Sequence, residues 1–127
     1  MSWPPLPGDL LPRADDAYGV DDKLRQYSLN LEHSVGGPKA RAFARILGIS
    51  EDDLPYLAAA LRDGVRRIPM SDVRDAGPFG QHCRVLVPVK GLRSYADREA
   101  IVLTSWQLRW QGDAPRLVTA YITSKLS

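Results

Sequence analysis

The hydrophobic period of this chain changes at Pro69, and that change limits the folds open to it. Upstream, Leu24, Tyr27 and Leu31, then Ala40, Phe43, Ala44 and Leu47, then Leu54, Leu57, Ala58, Leu61 and Val65 recur at helical spacing. Downstream, Cys83, Val85, Val87 and Val89 alternate with polar or outward neighbours, as do Val102, Thr104, Trp106, Leu108 and Trp110. Alternation is the signature of a strand with one buried face. Helices come first and strands follow, so the pattern predicts an α+β domain and not an alternating α/β one.

The local signals give boundaries. A first helix is predicted from Val20 or Asp21, whose acidic start suits the positive end of a helix dipole. A second runs from Pro38, well placed in a first turn, to Leu47, with Gly48 as its stop. A third starts at Ser50, with Asp53 completing a near capping box, weakens at Gly64 and ends before Pro69. Strands are predicted at 82–89, 100–110 and 116–123, with a weaker one at 68–74. Pro88 suggests an edge or a strand end. Gln111–Pro115 is a hairpin turn. Residues 1–16 are rich in proline and read as an extended N-terminal arm, pinned by Leu6, Leu10 and Leu11 or else free. Residues 17–127 read as one domain, with about three helices packed on one face of a mainly antiparallel sheet of three to four strands. The other sheet face is expected to be partly open and to be where a ligand sits.

Composition excludes some classes of function. The chain has 127 residues, enough for one core. Its 17 basic and 15 acidic residues give a formal charge of +2. That balance does not announce nucleic-acid binding, but it leaves room for a local basic groove. Cys83 is the only cysteine, so neither an internal disulfide nor a cysteine-rich zinc site is expected. The simplest compartment is reducing and cytoplasmic. No apolar run approaches the roughly 20 residues that cross a membrane. The first residues lack the pattern of a secretory signal, although delivery into another cell by other routes is compatible with that. No motif calls for a cofactor or a metal.

The chemistry-bearing residues gather in two places. His33-Ser34-Val35-Gly36-Gly37-Pro38-Lys39 joins the first two helices and holds one of the two histidines. An imidazole titrating near neutrality moves protons, and a nearby lysine steadies a phosphate. Gly36 and Gly37 are candidate substrate-binding positions, because N–H groups at a helix start favour an anion. The second place is the last strand. Thr119 and Tyr121 share a face and offer hydroxyls, and Arg116 offers a forked phosphate ligand. Arg116 has the opposite parity and joins them only through a bulge, a strong twist or its own reach. Arg109 is a further substrate-binding candidate. His82 reads as structural or exposed, and Trp106 and Trp110 as members of a core face.

These residues carry a resemblance. Leu11-Pro12-x-Ala14, Asp22-x-Leu24-x-x-Tyr27-x-Leu29-Asn30, His33-x-Val35-Gly36-x-x-Lys39-Ala40-x-x-Phe43 and Pro115-Arg116-Leu117-Val118-Thr119-Ala120-Tyr121 resemble a family of small bacterial domains that look like toxin modules. Ser34 stands where that family more usually has proline. The order of elements is similar to the barnase, EndoU, colicin and RelE group of ribonucleases. The resemblance, together with the chemistry of these residues, leads to the expectation of a metal-independent endoribonuclease toxin with His33, Lys39, Arg116, Thr119 and Tyr121 catalytic; the ribonuclease group itself shares no one fixed set of catalytic residues. The resemblance implies RNA as substrate and a cognate antitoxin or immunity protein as partner. The alternatives are a non-catalytic protein-binding module of a toxin system and a non-catalytic RNA binder.

Overall fold

The computed structural model describes residues 3–126. Helix α1 spans Val20–Lys23 and runs on as a π-helical turn, Leu24–Ser28. Helix α2 spans Gly37–Ala42 and widens in the same way over Phe43–Leu47. Helix α3 spans Leu54–Arg67 behind a 3₁₀ turn at Glu51–Asp53. Strands β1 (Asp72–Asp75), β2 (Gln81–Lys90), β3 (Glu99–Leu108) and β4 (Arg116–Leu126) form one antiparallel sheet in the order β1-β2-β3-β4. The chain is therefore α+β, with its helices against one face of a four-stranded meander.

The core lies between that face and the helices. Leu57, Leu61 and Val65 of α3, Phe43 and Leu47 of α2, and Leu24 of α1 are fully buried with Val85, Val102, Trp106 and Leu117. The indole N–H of Trp106 donates to Thr104 Oγ1 at 2.8 Å, and that hydroxyl donates to the Val85 carbonyl at 2.8 Å. A buried donor left without such a partner costs about 1–3 kcal/mol, so Thr104 is what lets an indole sit in this core. Gly64 does not end α3. A Cβ there would lie 2.5 Å from Val87 Cγ1, so the glycine lets the helix press directly on β2.

The two π-helical turns move side chains off their expected faces. Each inserts an extra residue into a turn, which rotates everything after it. Ala44, predicted on the apolar stripe of α2, is exposed. Leu31, predicted on that of α1, lies beyond the helix and is exposed, while Leu29 takes the buried place. Trp110 is also corrected. β3 ends at Leu108, and Trp110 stands out in the hairpin against the Arg109 guanidinium, 4.3 Å from its ring centroid. Pro88 sits where β2 has outrun β1, whose pairing stops at Asp72–Arg84, so its missing N–H falls on a locally unpaired edge.

The outer edge of β4 is covered. Tyr18 pairs in parallel with Arg116, its N–H bonding the Pro115 carbonyl and its carbonyl accepting from Leu117 N–H. Ser28 Oγ donates to the Ala120 carbonyl at 2.8 Å, which ties the end of α1 to the same edge. The arm is docked. Trp3 and Leu11 pack on the core, and Gly8 and Asp9 exchange backbone hydrogen bonds with Met70, while Leu6 and Leu10 stay exposed.

Asp53 joins the connection between α2 and α3 to the β2–β3 loop. Its carboxylate caps Ser50 N–H at 3.0 Å and takes a forked pair from Arg93 at 2.6 and 3.2 Å. The Arg93 guanidinium holds the Asp53 pKa below its ordinary value of 3.8, against the opposing effect of burial. A depressed folded-state pKa contributes stability that is complete above the unfolded value and is lost as pH falls through the folded one. Urea unfolding should therefore show a stability plateau above roughly pH 5 and a decline below it. Asp53→Asn should lower the plateau and flatten the decline. An acid limb as steep in the variant as in the parent would remove Asp53 from that role.

Candidate functional site

The site is built on β4, and a bulge makes it. Trp106 pairs with Leu117 and Ser105 with Thr119, so Val118 has no partner and the register shifts there. Leu117 and Ala120 both face the core, fully buried, although three residues apart. Paired residues of neighbouring strands point to the same side. Arg116, opposite Gln107, therefore shares the outer face with Thr119, opposite Ser105, and Tyr121, opposite Leu103. The parity conflict in the sequence is resolved by the first of its three possible routes.

Lys39 reaches this face from the first turn of α2. Its Nζ lies 2.9 Å from the Tyr27 hydroxyl and 3.4 Å from Thr119 Oγ1. The ammonium is also 4.6 Å from the Tyr27 ring centroid and 4.8 Å from that of Tyr121. Two aromatic faces and two hydroxyls fix one cation without a carboxylate, so its charge is not cancelled at contact. Among the described residues Lys39 has no salt bridge. Tyr27 therefore joins the candidates. In the sequence it stood on the helical stripe, which reads as core, and within the resemblance motif Asp22-x-Leu24-x-x-Tyr27-x-Leu29-Asn30, but neither gave it a role in the site.

His33 is anchored to its own turn. Its Nδ1 accepts from Val35 N–H at 3.0 Å and Gly36 N–H at 2.9 Å. While those bonds hold, the proton of the neutral ring sits on Nε2, which points away from the turn as a donor. The ring meets Tyr27 edge-on, with centroids 4.9 Å apart. The structure thus places His33, Tyr27, Lys39, Thr119 and Tyr121 in one connected group, with Arg116 farther along the same sheet face.

Other expectations change. The N–H groups of Gly36 and Gly37 are both used inside the turn, Gly36 on His33 Nδ1 and Gly37 on the His33 carbonyl at 2.7 Å. They do not form an open anion cradle. Arg109 is committed to the hairpin. It makes a forked pair with the buried Asp113 at 2.9 and 3.0 Å, and its guanidinium holds that carboxyl below the usual range. Cys83 is buried, and burial together with the Asp72 charge pushes its thiol up to about 11, so it is no nucleophile near neutral pH. A cleft of about 320 Å³ opens between the turn and the start of α3, but Glu32, Glu51 and Asp52 rim it and repel phosphate. No helix among the described residues is long and apolar enough to cross a membrane.

The sequence also missed basic groups on β1 and β2. Arg74 and His82 lie in register with Gln107 and Arg116, and Arg84 lies in register with Ser105 and Thr119. The near-neutral total hides this gathering, because many of the acids sit elsewhere, on loops and helix starts.

Gly36 sets the distance between the turn and α1. A Cβ on it would lie 2.2 Å from the Tyr27 carbonyl oxygen, a backbone atom that cannot swing aside. Gly36→Ala should lift the turn from α1 and destabilise the protein by about 1–3 kcal/mol. Thermal unfolding and the His33 ring shifts in NMR, which sense Tyr27, would report it. An unchanged melting temperature would contradict the contact.

Comparison with known proteins supplies no chemistry. No curated protein and no solved structure matches the chain. A family model described as "Domain of unknown function (DUF6883)" matches residues 10–124, from within the arm into β4. The chain belongs to the DUF6883 family.

Proposed function

We propose that this domain is a metal-independent endoribonuclease of the toxin kind. The observation that carries the reading is the Lys39 ammonium, held by Tyr27 and Thr119 on an outer sheet face that it shares with Tyr121 and Arg116. A phosphodiester laid on that face meets a lysine, an arginine and hydroxyls at once. Cations placed where phosphoryl charge builds up are the largest single source of rate for such chemistry.

The reaction is attack by the ribose 2′-oxygen on the adjacent phosphorus. The new P–O2′ bond closes a cyclic phosphate, and the P–O5′ bond breaks. The 2′ proton passes to water, and the departing 5′-oxygen takes one from a tyrosine hydroxyl, Tyr27 or Tyr121, which solvent then restores. Lys39 and Arg116 hold the non-bridging oxygens, and Thr119 positions the backbone. The turn revises the role first expected for His33. A base needs a free lone pair at Nε2, which would put a proton on Nδ1 against two N–H donors. In this geometry His33 serves as a neutral Nε2–H donor to phosphate. As a toxin the domain would act in a cytoplasm, on RNA, and would need a partner protein to restrain it.

Purified protein incubated with total RNA in excess EDTA should leave ends with cyclic phosphate. Lys39→Ala and Arg116→Ala should each lower kcat/KM by about 10²-fold or more while folding normally. His33→Asn keeps an acceptor for the turn and loses the Nε2 donor, so it should fold and cut more slowly. RNA left intact by the parent, across structured and single-stranded substrates, would sink the ribonuclease reading.

A further inference from the structure

The candidate group occupies only the β4 side of the outer face. A row of side chains crosses the rest of it, Arg74 on β1, His82 on β2, Gln107 on β3 and Arg116 on β4, each in register with the next. Gln107 is the centre of this row. Its Oε1 accepts from Arg116 Nη2 at 2.9 Å and Nε at 3.3 Å, and its Nε2 donates to the Phe79 carbonyl at 2.9 Å. It therefore aims Arg116 and fixes the turn that carries Phe79. Phe79 is 64% exposed, a large value for a phenylalanine on a turn held this firmly. Among the described residues, the His82 and Arg84 side chains have no hydrogen-bond partner and no salt bridge. Asp72 is the carboxylate in register beside Arg84, and the Arg74 Nε holds it at 2.6 Å.

Two unpartnered basic side chains on β2, with an exposed ring on the turn that leads into it, offer what a nucleotide requires, a phosphate ligand and a stacking surface. β2 lies two strand spacings from β4, about 10 Å. That distance suits a neighbouring nucleotide and not the phosphate held by Lys39. We propose that His82, Arg84 and Phe79 form a second nucleotide subsite for single-stranded RNA, with Arg116 between it and the Lys39 group. The inference rests on the ribonuclease reading for the kind of polymer, but binding alone tests it. It assigns a role to His82, which by sequence alone reads as structural or exposed, and it sets a substrate longer than a dinucleotide.

The test is anisotropy with fluorescent 2′-O-methyl RNA, which cannot be cut by 2′-oxygen attack, as a dinucleotide and as a hexamer. The parent should bind the hexamer more tightly. Phe79→Ala should shrink that advantage about tenfold, the effect of losing one base stack. The double variant His82→Ala, Arg84→Ala should shrink it too and should lower the salt slope for the hexamer by about one phosphate contact. All of these side chains lie on the surface, and circular dichroism would verify folding. A parent without preference for the hexamer, or variants that bind it as the parent does, would overturn the subsite. The ribonuclease assay fails or succeeds separately. Hexamer binding that depends on Phe79, without cleavage of any RNA, would keep the subsite and remove the enzyme. Cleavage together with unchanged hexamer binding in the variants would do the reverse.

Discussion

Val118 is one residue more than β4 needs to pair with β3, and the outer face depends on it. In a regular strand, Leu117 in the core would put Thr119 and Tyr121 in the core as well. Arg116 would then stand alone outside. The bulge turns the strand over between Leu117 and Thr119, so a hydrophobic pair, Leu117 and Ala120, anchors the strand on both sides of the site. Lys39 and Ser28 then meet β4 where the bulge leaves it, Lys39 at Thr119 and Ser28 at the Ala120 carbonyl. The helices thus hold the bulged strand by its edge, and the same contacts bring Tyr27 and Lys39 to the face.

Much of this fold was legible because burial in it follows simple periods. Leu54, Leu57, Ala58, Leu61 and Val65 are all buried as the helical spacing requires, and the Ser50–Asp53 cap forms. Cys83, Val85, Val87 and Val89 are buried as alternation requires. The failures fall where a period is broken by one residue. The π-helical turns misplaced Leu31 and Ala44, and the end of β3 misplaced Trp110. A propensity argument cannot find such insertions, since the residues at them are ordinary and the cause is long-range. α1 must present Ser28 to β4 and Leu29 to the core at the same time.

The site was legible in part, for a different reason. His33, Lys39, Thr119 and Tyr121 were singled out for their chemistry, and they do meet. Arg109, Gly36 and Gly37 were singled out on the same grounds, and the groups that would bind a substrate are used within their own loops. Residue type reports what a side chain can bind, whereas the neighbours it has already bound decide what is left over. Asp113 takes up the Arg109 fork and His33 takes up the Gly36 N–H. Nothing close in sequence takes up Lys39.

The same reasoning bears on the histidine. A loop that must stand against Tyr27 needs its N–H groups satisfied, and His33 Nδ1 satisfies two of them. An imidazole so used has one nitrogen left, and that nitrogen carries the proton. In the proposed reaction that nitrogen is a donor to a phosphate oxygen. In the ribonuclease we propose, proton exchange falls instead to the hydroxyls around Lys39, where the Tyr27 oxygen already accepts from the ammonium and its own O–H is free to point onward. Anchoring the turn and serving as a base are thus competing demands on one ring, and the packing of Gly36 on the Tyr27 carbonyl favours the anchor.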